Sequence, residues 1–199
     1  MSLLKFFKAQ LGLSSTPANN FTLDASAQDG TMKLSRGNAG ATTQDVLVVD
    51  AAGIVRHPPN AIAFSVTKTN SQTSTVAGIN GPILFNNILF DTKSSYNPAT
   101  GRFTPTVAGY YQINFGVGIV NNPQRLFAYI FKNGVIATRG SDALVIAGYG
   151  NAYGTTGASL VYLNGTTDYV DIRAYTNAAG LDFNAPDQTQ FSGFLAIPT

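Results

Sequence analysis

A catalytic centre needs titratable groups that converge, and this sequence offers one histidine, ten aspartates, no glutamate and no cysteine. His57 stands directly before Pro58 and Pro59, a stiff spacer in which a solvated side chain fits better than a general base. Ser192, in Phe-Ser-Gly-Phe, lacks the flanking glycines of a nucleophile elbow and reads as a strand residue. Without cysteine there is neither a thiolate nucleophile nor a thiolate metal site. Asp168 and Asp171 flank one strand, while Asp182, Asn184 and Asp187 crowd a loop. Oxygen ligands of that kind suit calcium, but they lack the spacing of a recognised calcium loop, so turn-forming and solubilising roles take precedence. We therefore expect no catalytic residue, metal or cofactor, and the chain reads as a binding or structural protein rather than an enzyme. A glycan depolymerase in particular would need paired carboxylates in a groove, and no pair stands out.

Binding chemistry is better represented. The stretch from Ala147 to Gly157 sets Tyr149 and Tyr153 around Asn151 among glycines, offering aromatic faces and amide donors to a sugar ring or a protein. It is a candidate receptor-facing loop. The competing reading is a glycine-rich connection whose tyrosines pack at a seam between subunits. Nucleic acid is a poor partner, because a formal charge of +2 spread over isolated Lys and Arg residues makes no basic stripe.

The elements that would position these groups are strands. Twenty Gly, nine Pro, thirteen Phe and nine Tyr, with abundant Val, Ile and Thr, suit pleated surfaces joined by tight turns. At the N-terminus Leu4, Phe7 and Leu11 fall at helical spacing before Ser-Ser-Thr-Pro, which predicts a short docking helix over the first dozen residues, in competition with a frayed end. Lys5 and Lys8 interrupt the apolar run that a signal peptide would need, and the run is too short to cross a bilayer.

Three segments follow from the pattern: a docking segment at 1–19, a β-rich collar or shaft at 20–59, and a head at 60–199. In the collar Met32 and Leu34 alternate with Lys33 and Ser35, a Gly/Asn loop follows, and Val46 to Val49 form a strand closed by Asp50-Ala-Ala-Gly53. Strands so short cannot bury a core alone within about forty residues, so symmetry mates are expected beside them. The head carries turn signals between strands near 61–67, 83–90, 102–106, 109–120, 125–132, 134–138, 157–163, 168–175 and 190–197. Asn133-Gly134 is a two-residue hairpin turn, and Asn97-Pro98-Ala99-Thr100-Gly101 is a second turn.

Tyr111, Ile113, Phe115, Val117 and Ile119 share one face of a strand, with Tyr110, Gln112 and Asn114 on the other. The next strand lacks such a division: Leu126, Ala128 and Ile130 alternate with Phe127, Tyr129 and Phe131, so one apolar face would stay wet in a single chain. Phe127, Tyr129 and Phe131, joined by Tyr162, are therefore the expected seam between subunits, the alternative being cover from their own chain.

Phe85, Asp91, Tyr96, Phe103, Gly109, Tyr111, Ile113 and Phe115 stand in the order F-x5-D-x4-Y-x6-F-x5-G-x-Y-x-I-x-F. This resembles the signature of the globular head of complement component one, subcomponent q, with Ile113 where an aromatic ring is usual. Lys132-Asn133-Gly134, Leu160 to Leu163 and Phe191 to Leu195 resemble that family's later strands. The resemblance implies an all-β, ten-stranded antiparallel jelly roll that assembles as a homotrimer. The collar resembles β-rich segments of bacteriophage fibre proteins. Together these imply a virion structural protein: a short trimeric fibre or spike, either tail fibre or head decoration, docked by Leu4, Phe7 and Leu11 onto other virion proteins and directed at a host-surface glycan or protein. The alternative is a bacterial surface or extracellular lectin-like trimer.

Overall fold

The computed structural model describes residues 8–16, 19–27, 29–58, 61–120, 125–144, 152–183 and 188–199, and every element among them is a strand or a turn. The chain divides into two units, Met1–Ala61 and Ile62–Thr199.

The first unit is one antiparallel sheet in sequence order, β1 (Lys8–Leu11), β2 (Phe21–Asp24), β3 (Met32–Asn38), β4 (Ala41–Val49) and β5 (Val55–Arg56). The expected docking helix is corrected here. Lys8–Leu11 is a strand whose Leu11 pairs with Phe21, while Leu4 and Phe7 lie outside the described residues. The physical reason is that four residues gain little as an isolated helix, whereas an adjacent strand supplies partners for their backbone groups at once. Asp50 shapes the β4–β5 turn, its Oδ1 accepting from the amides of Ala52 and Ile54 at 3.0 Å each, while Gly53 takes a φ of +79°.

The second unit is an antiparallel sandwich. One sheet has the order β13 (Val135–Leu144), β12 (Arg125–Lys132), β15 (Val170–Thr176), β10 (Arg102–Phe103), β9 (Tyr96–Asn97), with β7 (Gly78–Pro82) also on β15. The other has the order β14 (Ala152–Asn164), β11 (Ala108–Val120), β16 (Gln190–Pro198), β6 (Ala63–Thr67), β8 (Asn87–Asp91). Neighbours distant in sequence, such as β6 beside β16, make this a jelly roll. The 134–138 strand predicted from sequence extends to Leu144, and of the one predicted over 83–90 only the second half is strand, in β8, because Ile83–Asn86 is the connection from β7. The predicted hairpin turn is present, with Asn133 at φ +51° and Gly134 at +81°.

The core lies between the two sheets. From β11 the alternating Tyr111, Ile113, Val117 and Ile119 are each 0% exposed, and Leu126, Ala128 and Ile130 of β12 face them from the other layer. The motif residues converge here for identifiable reasons. The Tyr96 hydroxyl accepts from the Phe85 amide and donates to the Phe85 carbonyl, each at 3.1 Å, and burial pushes its pKa up to about 12. Asp91 holds the intervening turn by accepting the Tyr96 amide at 2.7 Å. The Tyr111 hydroxyl donates to the Val107 carbonyl at 2.7 Å. Gly109 has no room for a side chain, since a Cβ there would lie 2.4 Å from the Ile197 carbonyl oxygen.

Where β13 and β14 face each other, the Phe115 ring closes the side of the sandwich between Gly140 and Gly157. A Cβ on Gly157 would fall 2.5 Å from that ring and 2.9 Å from the Gly140 Cα. Gly157→Ala is therefore expected to destabilise the unit by about 1–3 kcal/mol through overpacking, read as a lower urea midpoint at unchanged slope; an unchanged midpoint would show that the ring has room to move aside.

Candidate functional site

Strand alternation gives each head sheet an inner and an outer face, and the two outer faces differ. On β11 the outward residues are Tyr110, Gln112 and Asn114. The register sets Tyr110 beside Tyr162 and Ile197, and Gln112 beside Leu160 and Phe194. Tyr110, Leu160, Tyr162, Phe194 and Ile197 are 44%, 54%, 40%, 48% and 55% exposed, an apolar patch that a monomer rarely leaves open. The Tyr110 and Tyr162 rings touch at 5.4 Å between centroids, and Gln112 Nε2 donates to Asn114 Oδ1 at 3.1 Å in the middle of the patch.

The outer face of the other sheet is closed by its own chain. Phe127 and Phe131 are each only 6% exposed, and Tyr129 is half-buried between them. Phe127 stacks on Tyr175 at 4.4 Å, and Tyr129 meets both phenylalanines edge-on. Pairing of β12 with β13 and β15 sets Tyr129 opposite Arg139 and Arg173. Guanidinium groups then lie over the rings, Arg139 at 4.7 Å and Arg125 at 5.1 Å from Phe127, and Arg173 at 4.3 Å from Phe131.

The arginines are themselves anchored. Asp142 accepts from Arg125 Nη2 at 2.6 Å and Arg139 Nη2 at 2.9 Å. Its carboxyl titrates below the ordinary range, chiefly through the Arg125 hydrogen bond. Asp171, 0% exposed, accepts from Arg173 Nε at 2.7 Å, which raises the guanidinium pKa. The reason for seating a seam at Phe127, Tyr129 and Phe131, that the rings would be wet in one chain, is thus corrected: arginines scattered in sequence cover them. Of the four expected seam residues only Tyr162 lies on the open patch. Tyr110, Leu160, Phe194 and Ile197 were not singled out from the sequence: alternation along β11 puts Tyr110 on the outer face, but the residues of β14 and β16 beside it follow only from strand pairing.

In the candidate receptor loop, Tyr149 and Asn151 lie outside the described residues. Tyr153 is in β14 opposite Ile119, packed against the core, and its buried hydroxyl has no hydrogen-bond partner among the described residues. Its expected outward aim is corrected, because strand register points it inward. Asp168 is a turn clamp: Asn133 Nδ2 donates to it at 2.7 Å and Lys132 Nζ sits 2.9 Å away, and these two lower its pKa. Asp182 accepts from the Thr73 hydroxyl, and Asn184 and Asp187 lie outside the described residues. Among the described residues no three candidate ligands gather for a metal.

His57 is exposed, and Ser192 sits in β16 opposite Asn114 and Ser65. Lys68, 1% exposed, donates from Nζ to the Leu84 carbonyl at 3.0 Å and Asn70 Oδ1 at 3.1 Å, with desolvation lowering its pKa. That arrangement ties a loop to the sheet.

Comparison with known proteins agrees with this geometry. The family model described as C1q domain matches residues 63–196. The mouse protein named complement C1q tumor necrosis factor-related protein 7 is 32% identical over 135 residues, covering 67% of this chain and 43% of that relative's length. The globular domain of a zebrafish complement 1qA protein superposes with a TM-score of 0.55 at 20% identity, covering 70% of this chain and 99% of that one. The Eiger tumour necrosis factor of S. frugiperda gives 0.52 at 11% identity, with 70% and 93% covered. At these identities the structural likeness speaks for the fold.

Proposed function

Because this chain belongs to the C1q-domain family over its second unit, we propose that it works as a homotrimeric binding protein, three heads meeting through the outer face of the β14–β11–β16–β6–β8 sheet. The observation that carries the reading is the contrast between the two outer faces. One is roofed by arginines of its own chain, and the other leaves Tyr110, Leu160, Tyr162, Phe194 and Ile197 in water. Burying each such side chain contributes on the order of 1.5–3 kcal/mol, enough together to offset the entropy of association.

The test is Phe194→Arg in the full chain. A charge set into an apolar seam without a partner is costly, so trimers should give way to monomers or aggregates by light scattering, while the control Val135→Arg leaves assembly unchanged. A Phe194→Arg chain that remains trimeric would remove this face from the seam.

The finer reading is a virion protein, a short bacteriophage fibre or spike. Its support is the β-rich first unit before the head, whose strand, Gly/Asn loop and strand pattern resembles segments of bacteriophage fibre proteins. The extracellular lectin-like alternative is favoured by the animal relative. Labelled antibody on purified particles separates the two: decoration of particles at fixed sites supports the virion reading, and soluble trimer in the medium with bare particles supports the other.

A further inference from the structure

The first unit has one finished face and one open face. Register places Ala9, Leu23, Leu34 and Leu47 in one row across β1 to β4. Leu11 with Phe21, and Met32 with Val49 and Val55, flank that row on the same side of the sheet. Arg36 and Gln44 end this side at one rim. The opposite side carries Lys8–Asp24 at 2.7 Å, Lys33–Asp45 at 3.2 Å, and Ser35 Oγ donating to Asp45 at 2.7 Å, with Val48 as its apolar exception.

Burial runs contrary to hydrophobicity. Thr22 and Ser35 of the polar side are 0% and 2% exposed, whereas Leu11, Met32 and Val55 are 53%, 37% and 54% exposed and the leucines of the central row are only half-buried. Among the described residues no apolar side chain before Ile62 is buried. A single sheet with a bare apolar side is marginal in water and needs a second layer.

We propose that the second layer is the same face of two further copies, so that three sheets close around the assembly axis as a β-walled shaft with the Leu23, Leu34 and Leu47 row inside. A copy of itself fits because the row carries no charge and requires none from its partner, while the ion-paired side is already satisfied facing water. Tethering supplies the partners. Only residues 57–62 separate β5 from β6, and a chain reaches at most about 3.5 Å per residue, so heads held together keep their first units at an effective concentration on the order of millimolar.

The inference rests on the three-copy reading of the head, and one experiment separates the two. The chain has no cysteine, so Leu34→Cys, Leu47→Cys and, from the polar side, Lys33→Cys can each be made as the single thiol of the full chain. Each is oxidised with copper phenanthroline after its oligomeric state is measured by light scattering. In trimers, Leu34→Cys or Leu47→Cys should yield covalent dimers on a denaturing gel at least about ten-fold more than Lys33→Cys, because only facing thiols pair. Trimers in which both inner thiols stay unlinked overturn the shaft and leave the head seam standing, and inner thiols that resist maleimide without linking would mean cover from their own chain, which also overturns it. A monomeric unsubstituted chain overturns both. Leu47→Cys guards against loss of folding at the central strand.

Discussion

Truncating Phe64 to alanine is expected to lower the stability of the head by roughly 3–5 kcal/mol, the usual cost of emptying an aromatic site in a well-packed core. Phe64 is 1% exposed and belongs to β6 of the five-stranded sheet. Its ring stacks on Phe103 of the opposite sheet at 4.2 Å, meets Phe191 edge-on at 4.7 Å, and lies 5.9 Å from Tyr96. It is therefore a bridge between layers, and rigid neighbouring rings cannot collapse far into the space it leaves. Urea unfolding followed by tyrosine fluorescence checks this: a shift in midpoint worth less than about 1 kcal/mol would mean that the ring cluster repacks freely.

Asp171→Ala is expected to cost about 3 kcal/mol, the low end for breaking a buried ion pair because Arg173 and Arg102 keep side-chain exposures of 21% and 41%. The carboxylate is fully enclosed, and it orients Arg173, whose guanidinium roofs Phe131. Arg102 Nε, 3.9 Å from Asp171 and buried without a hydrogen-bond partner among the described residues, belongs to a side chain stacked 4.0 Å over Tyr169. Losing the carboxylate should thus wet the ring row as well as strand charge. Asp171→Asn, which keeps an acceptor, should lose less. Equal losses in the two variants would assign the whole effect to charge, and no loss in either would show that the arginine roof stands unaided.

Much of the head was legible because its signals are local. Period-two alternation from Tyr111 to Ile119 and Asn133-Gly134 at a hairpin each fix one strand or turn without knowledge of its neighbours. The motif residues were legible for a related reason: Tyr96, Gly109 and Tyr111 answer demands that the backbone makes wherever this fold is built, such as two groups of Phe85 to satisfy or an Ile197 carbonyl to admit. Leu11 shows the opposite case, since spacing over a few residues is common to a helix and a strand, and the choice went to whichever had hydrogen-bonding partners nearby.

The sequence alone determined an all-β chain, a C1q-type head, and a set of rings too many for one core. Only the tertiary structure decided which of those rings are left in water. Strand pairing set Arg139 and Arg173 beside Tyr129, closing one face, and set Phe194 and Leu160 beside Gln112, opening another. Alternation along a strand states that a residue has two sides; what lies on each side depends on strands brought in from far along the chain, and that information is non-local.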